Sequence, residues 1–191
     1  VCPFDGTTEC INGDGTEDPT TATGAIRYGG SKSALSFDGE NDYINGGTDS
    51  SIDDLHDNAF TAEAWIKADS YGELSEGRII QKGTNNTNGW RFNVNSAVGL
   101  QVEIECATTD GSSYSGTDEF TSDSQWHHVS MTFNDAEDRT IRLFIDGQEV
   151  SSYQTQQPCV GAINSDATTS ITIGNYSAQT ISFNGLIDEV R

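Results

Sequence analysis

Short segments in which apolar and polar residues alternate make up most of this chain after its first 33 residues. Residues 60–67 place Phe, Ala, Ala and Ile on one set of alternate positions, and Thr61, Glu63, Trp65 and Lys67 on the other. Residues 126–133 repeat the pattern with Val, Met and Phe. A period of two residues is that of a β-strand with one buried face. Both segments are therefore predicted to be strands.

Further short runs, each closed by Gly, Asn or Ser, predict the remaining strands. They lie at residues 34–37, 43–44, 78–82, 90–94, 100–106, 141–145, 148–150, 170–173 and 180–190. Asp146-Gly147 separates two of these runs and indicates a two-residue hairpin, because glycine tolerates positive φ. No helical periodicity exceeds two turns. Many short strands at close intervals predict an all-β fold, a two-sheet antiparallel β-sandwich forming one domain over residues 1–191.

The first 33 residues lack this alternation, and they contain two of the cysteines of the chain. Residues 1–33 are irregular and rich in Gly, Thr and Asp. The chain has 4 cysteines, which permit three pairings. We favour Cys2–Cys10, which would pin the N-terminal segment, and Cys106–Cys159, which would join distant strand ends; four buried free thiols are the alternative. An even count without a C-x-x-C pair indicates an oxidising compartment, so we expect a secreted or cell-surface protein.

Charge and the length of the apolar runs argue against two classes of partner. The chain carries 9 Lys and Arg against 30 Asp and Glu, a formal net charge of −21. Such a surface repels phosphate backbones and anionic lipid, so we expect no nucleic-acid ligand. No apolar run approaches the roughly 20 residues that a membrane span needs, so we expect no membrane insertion. Solubility in a saline medium and affinity for divalent cations both remain compatible with this charge.

Several sequence blocks, taken in order, resemble one known family. They are ALSFDGENDYI at 34–44, FTAEAWI at 60–66, IIQKG at 79–83, WHHV at 126–129, LFIDG at 143–147 and FNGLIDEVR at 183–191. Together they resemble the laminin-G-like domains of the concanavalin A-like lectin/glucanase type, over residues 34–191. The resemblance implies a jelly roll of two curved sheets, often with one structural calcium ion. It also implies a recognition module, commonly attached to polysaccharide-degrading enzymes or adhesins.

Calcium would require several oxygen ligands at short range. The resemblance places one ligand at Asp188 on the last strand, with Asp38 and Asp5 as partners. The alternative for Asp38 is that it only caps a turn through its side chain. A second candidate, the alternating oxygen donors of residues 12–18, is as well explained by a solvated loop.

Sugar recognition requires an aromatic face surrounded by polar groups. Candidates in or beside predicted loops are Trp90, Arg91, Tyr71, Tyr114, Tyr153 and Tyr176. Trp90 is equally compatible with packing at the edge of the core. Trp65 and Trp126 fall inside the family blocks, and we expect them to be packing residues.

Catalysis is not predicted. A retaining glycosidase of this fold needs paired carboxylates, and the nearest segment supplies Glu103 and Glu105 without a third acid. His127 and His128 are consecutive strand residues, so they point to opposite faces and cannot share one ion. We therefore expect a non-catalytic carbohydrate-binding module, tethered to other domains of a longer chain, whose partner is a polysaccharide or glycan. An adhesion or structural surface domain is the alternative.

Overall fold

The structure is a computed structural model that describes residues 34–176, 178 and 180–191, with the backbone of four short strands nearer the N-terminus. Those strands are β1 (Cys10–Ile11), β2 (Glu17–Asp18), β3 (Thr21–Thr23) and β4 (Ile26–Tyr28). The predictions for Asp5, the Cys2–Cys10 pair and the side chains of residues 12–18 lie outside the described residues.

Thirteen further strands follow in chain order. They are β5 (Ala34–Asp38), β6 (Tyr43–Asn45), β7 (Ala59–Ser70), β8 (Glu76–Thr84), β9 (Asn88–Asn95), β10 (Gly99–Ile104), β11 (Gly111–Tyr114), β12 (Trp126–Asn134), β13 (Arg142–Ile145), β14 (Gln148–Glu149), β15 (Thr155–Gln157), β16 (Ile171–Ile173) and β17 (Asn184–Asp188). Within the described residues, helix is limited to three 3-10 turns at Ser50–Ile52, Leu55–Asp57 and Glu73–Ser75. None of them has the length and apolar character that a bilayer span requires.

The strands form two large antiparallel sheets. One has eight strands in the order β15-β11-β10-β9-β8-β16-β6-β3, and the other has seven in the order β14-β13-β12-β7-β17-β5-β4. The predicted all-β sandwich is therefore confirmed. Strands β11 and β15 were not predicted, because their sequences GSSY and TQQ carry almost no apolar alternation.

The core lies between the sheets and is filled from alternate strand positions. Phe37, Ile66, Phe92, Val102 and Leu143 are each at most 1% exposed. Their strands therefore present every second residue to the opposite outer surface. Each sheet therefore has an outer surface, and the side chains on the two outer surfaces differ strongly in chemical character.

The second predicted disulfide is confirmed. Cys106 and Cys159 are bonded, with their Cα atoms 5.9 Å apart. Both are almost fully buried, and the bond ties the end of β10 to the segment after β15.

The predicted hairpin at Asp146-Gly147 is also present. Both residues have positive φ, 51° and 79°, as a type I′ turn requires. The Asp146 carboxylate accepts a hydrogen bond from the His128 N–H at 2.9 Å and contacts the His127 ring at 2.8 Å. Burial lowers the pKa of His127, but Asp146 and Asp123 raise it by more, and the net pKa is raised. The contact of His127 with Asp146 therefore stabilises the hairpin turn.

A buried ionic cluster closes one end of the sandwich. Lys82 is 0% exposed, and its Nζ lies 3.0 Å from carboxylate oxygens of both Asp53 and Asp166. It also donates to the carbonyls of Asp166 and Thr169, each at 3.0 Å. His56, equally buried, lies 3.4 Å from the second carboxylate oxygen of Asp166. This lysine shares its side of the sheet with the apolar core.

Candidate functional site

The outer surface of the eight-stranded sheet is polar across its central strands β8 to β11. Its side chains alternate with core residues, and cross-strand register brings them together: Glu103 lies opposite Arg91, and Gln101 opposite Asn93 and Tyr114. We call this set the polar face: Glu76, Arg78, Gln81, Arg91, Asn93, Gln101, Glu103, Glu105 and Tyr114.

Arg91 is the centre of the polar face. Its guanidinium forms ion pairs with Glu103 and, at 2.6 Å, with Glu105. Glu103 also accepts hydrogen bonds from the Tyr114 hydroxyl and, at 2.8 Å, from the Gln101 amide. Charged groups that are paired and hydrogen-bonded in this way hold one geometry. The phenol ring of Tyr114 is thereby fixed beside a row of donors and acceptors.

A second charged group, Arg78, extends the face toward β8. Its guanidinium donates to Gln81 at 2.7 Å, to Glu76 at 2.8 Å and to Asn85 at 3.3 Å. Burial lowers the pKa of Arg78, whereas Glu76 opposes that change. The arginine is 1% exposed, so its neighbours replace nearly all of its hydration shell.

Two buried polar atoms of this face lack a hydrogen-bond partner: Arg91 Nε and Asn93 Oδ1. The amide nitrogen of Asn93 donates to Gln101 Oε1 at 3.1 Å, which fixes which end of the amide is oxygen. An unused donor and an unused acceptor thus lie two residues apart on one strand. Both atoms have almost no accessible surface, so they are an energetic cost of the close packing of this face and not contact points for a ligand.

Three of the six predicted sugar-binding residues belong to this region. Arg91 and Tyr114 are members of the polar face, and Tyr176 is partly exposed just after β16, the neighbour of β8 in the sheet. Register across β8 to β11 brings the first two together, although they are 23 positions apart in the sequence.

The other three lie elsewhere. Trp90 is 3% exposed, and its ring packs 5.2 Å from that of Phe60. This burial corrects the expectation that Trp90 offers its ring to a sugar. Tyr71 packs against the core. Tyr153 accepts a hydrogen bond from the Leu143 N–H at 2.8 Å and braces the seven-stranded sheet.

Sequence reasoning missed most of the polar face because it looked for sugar ligands in loops. The signal was present in β9, where Trp90, Phe92 and Val94 share one phase and Arg91 and Asn93 share the other. Since the apolar phase faces the core, the polar phase had to form the outer surface.

The proposed calcium ligands do not converge among the described residues. Asp38 lies opposite Asn184 at one end of β17, and Asp188 lies at its other end. Four strand residues span about 13 Å, so the two carboxylates cannot share an ion. The Asp38 carboxylate instead accepts from the Glu40 N–H at 2.9 Å, as a turn cap does. Among described residues, no group of three His, Cys, Asp or Glu side chains is placed to hold a metal, and Asp5 is outside them.

Several solved structures share this fold. Domain 4 of AbnA, a GH43 extracellular arabinanase from Geobacillus stearothermophilus, in complex with arabinotriose, has a TM-score of 0.63 at 17% identity, covering 99% of this chain and 88% of that chain. The Ruminococcus gnavus IT-sialidase CBM40 bound to α2,3-sialyllactose has a TM-score of 0.51 at 14% identity, covering 70% and 74%. The binding domain of paraclostridial mosquitocidal protein 1 has a TM-score of 0.64 at 16% identity; the match covers 92% of this chain and 44% of that one, so this chain spans less than half of it.

At these identities the likeness concerns the fold. No curated protein sequence matches the chain. A family model does match, over residues 38–191, which is nearly the range of the motif blocks. On that match, with the two-sheet fold, the chain belongs to the concanavalin A-like lectin/glucanases superfamily, in its laminin G form.

Proposed function

We propose that this domain binds a glycan on the polar face of its eight-stranded sheet and does not convert it chemically. The observation that carries the proposal is the preorganised array around Arg91, in which charged and amide groups surround the partly exposed Tyr114 ring. A sugar presents hydroxyl groups together with apolar C–H patches. The array offers hydrogen-bonding partners for the first and an aromatic surface for the second.

The charge of the polar face favours a neutral glycan. Its two guanidiniums face three carboxylates, those of Glu76, Glu103 and Glu105, and each guanidinium is already paired. No free cation of this face remains to hold a sugar carboxylate or sulfate. Hydroxyl and ring oxygens of a neutral sugar, in contrast, can hydrogen-bond to such paired polar groups without a counter-charge.

The same pairing supports binding without catalysis. Glycoside hydrolysis with retention uses two carboxyl groups, one as acid and one as nucleophile, about 5–5.5 Å apart across the bond. Glu103 and Glu105 are instead both held by one guanidinium, on the same side of any ligand. Neither is a free group directed at a glycosidic bond.

The setting we propose is extracellular, with the domain tethered to other domains of a longer protein. The buried Cys106–Cys159 disulfide fits an oxidising compartment. The structurally similar arabinanase domain is one part of an extracellular enzyme. A small polar interface gives affinities of roughly micromolar to millimolar, and tethering would raise the effective concentration.

A glycan-array screen followed by calorimetry on the strongest neutral oligosaccharide tests the proposal. Tyr114→Ala should weaken binding about tenfold or more, as aromatic anchors do, and Tyr114→Phe should fall between it and wild type. Tyr153→Phe removes a hydroxyl that lies outside the polar face and accepts from Leu143 of the seven-stranded sheet; it is the matched control and should bind normally. Thermal melting of each variant would verify folding.

Two results would overturn the proposal. Wild-type affinity in a folded Tyr114→Ala variant would remove the polar face as the site. If the wild-type protein bound no glycan on the array, the proposal of glycan binding would be refuted and recognition of a protein partner would be favoured. Repeating the screen with EDTA would separate calcium-dependent from calcium-independent binding, because the calcium expectation rests on the family resemblance alone.

A further inference from the structure

The opposite outer surface, on the seven-stranded sheet, carries two exposed tryptophans side by side. Trp65 on β7 and Trp126 on β12 are each 41% exposed. Trp65 lies opposite His128 and Trp126 opposite Lys67, so the two indoles form a diagonal cross-strand pair. Diagonal neighbours are about 7–8 Å apart, within mutual reach of large side chains. The expectation that both residues only pack is therefore wrong in part.

Register arranges their neighbours in two rows across β12, β7 and β17. One row is Trp126, Lys67 and Leu186, and the next is His128, Trp65 and Asp188. We call these six residues the tryptophan face. Apolar and hydrogen-bonding side chains alternate across it, both along each strand and from one strand to the next. The apolar members are only diagonal neighbours, so they do not form one broad apolar patch of the kind that marks many protein and membrane contacts.

Trp65 is fixed in position by a ring contact with His128 and by strand pairing of its backbone. The ring of His128 meets that of Trp65 edge-on, with centroids 5.4 Å apart. His128 in turn lies 3.5 Å from a carboxylate oxygen of Glu63. Strand β7 pairs with a neighbour on each side, so the backbone below Trp65 is fixed. Little ordering of Trp65 would be required on binding.

The charged members of the face are not used by the fold. Among the seven cationic side chains of the described residues, Lys67 alone makes no ion pair or hydrogen bond with another described residue, in a protein with 30 acids. Asp188 has no ion pair within 4 Å there, and its only described hydrogen bond comes from the Glu189 N–H. Burial raises the pKa of Asp188. A free donor and a free acceptor therefore flank the exposed indoles.

We propose that the tryptophan face is a second glycan-binding platform, specific for neutral polysaccharide chains. The two indoles would stack on C–H faces of successive sugar units, Lys67 would donate to hydroxyl or ring oxygens, and Asp188 would accept from hydroxyls. A polyanionic chain is disfavoured because Asp188 is the diagonal neighbour of Lys67, the one Lys or Arg side chain among the described residues without an ion pair. The net charge of −21 opposes an anionic membrane for the same reason.

The position of this platform has a consequence for polysaccharide networks. It lies on the sheet opposite the polar face, and the two sheets of a sandwich are about 10 Å apart. One domain would therefore hold two glycan chains on opposite sides and cross-link them. The second platform stands on its own observations and does not depend on the polar face being a site.

Affinity electrophoresis in gels containing arabinan, xylan, mixed-linkage β-glucan or mannan tests the proposal, with polygalacturonate as the anionic probe. Trp65→Ala and Trp126→Ala should each weaken retardation about tenfold in the gel that retards the wild-type protein most. Leu74→Ala removes an apolar side chain that is 77% exposed elsewhere, and this control should migrate as wild type. Melting curves would verify that each variant is folded.

The two sites fail in different ways. Tyr114→Ala should leave the tryptophan-dependent retardation intact, and a variant combining Tyr114→Ala with Trp65→Ala should lose all retardation. Wild-type retardation of both folded tryptophan variants would overturn the second platform and leave the polar face untouched. Stronger retardation by polygalacturonate than by every neutral chain, abolished by Lys67→Gln, would overturn the assignment of a neutral ligand.

Discussion

Replacement of Lys82 by methionine should be among the most destabilising single changes in this protein. Methionine keeps the length of the apolar stem and removes the ammonium group. In the variant, the Asp166 carboxylate, which is 0% exposed, has lost the cation that lies 3.0 Å from it in the wild-type protein. Asp53 and the carbonyls of Asp166 and Thr169 each lose a hydrogen bond of 3.0 Å as well.

The magnitude follows from the burial of the partner left behind. Removing one member of a buried ion pair costs about 3–5 kcal/mol, because an uncompensated charge stays in a poorly solvated site. A protein of this size loses about 2–4 °C per kcal/mol, so the midpoint of thermal unfolding should fall by roughly 10 °C or more.

Urea unfolding followed by tryptophan fluorescence would measure the difference. Arg142→Met is the matched control: its ion pair with Asp138 is as short, 2.5 Å, but both side chains are well exposed, so the cost should stay below about 1 kcal/mol. Adding Asp166→Asn to Lys82→Met should recover part of the loss. An equal, small effect for Lys82→Met and Arg142→Met would refute the reasoning, because burial would then make no difference.

The remaining predictions concern the disulfide, a histidine and two glycines. Replacing Cys106 and Cys159 by alanine should cost about 4 kcal/mol for a sequence separation of 53; a urea midpoint shift equivalent to under 1 kcal/mol would contradict this. The raised pKa of His127 means that its ion pairs stabilise fully below its unfolded pKa of about 6.5 and fade as pH rises through the folded pKa. His127→Gln should therefore cost more stability at pH 5.5 than at pH 8.5, and the opposite order would refute the assignment. Gly174→Ala should cost about 3 kcal/mol, because its φ is +81° and the new methyl group would overlap a core phenylalanine ring. Gly147→Ala, with φ +79° and open space around it, should cost only about 1 kcal/mol by the same melting assay.

Strand alternation in the sequence was sufficient for much of the fold. The phase of β7 places Trp65 with Glu63 and Lys67 on the outer surface, and the structure agrees. The Asp146-Gly147 hairpin and the Cys106–Cys159 bond were likewise predicted correctly. The strand phase and the hairpin depend on side-chain direction along one strand or on local backbone preference, and both are encoded within a few residues. The disulfide joins residues 53 positions apart and is not local in this sense.

The alternation breaks inside one strand, and no face was predicted from the sequence for its residues. In β8 the register shifts between Arg78 and Ile80, so Arg78 and Gln81 share the outer face although they are three residues apart. Lys82 then falls on the core side and needs acidic partners from distant loops. An irregularity of this kind reverses the phase of every later residue in a strand. No count of alternate positions predicts where it occurs.

The sequence by itself determined most of the strands after residue 33, most of their amphipathic phases and the fold class, because each depends on neighbouring residues or on an ordered set of family motifs. Only the tertiary structure decided which side chains meet. It brought Arg91 and Tyr114 together, placed Asp38 opposite one end of β17 and Asp188 at the other end, and set Trp65 beside Trp126. The physical reason is that strand order and register are chosen by burying apolar surface over the whole sandwich, so polar sites on its outer faces follow from distant pairings.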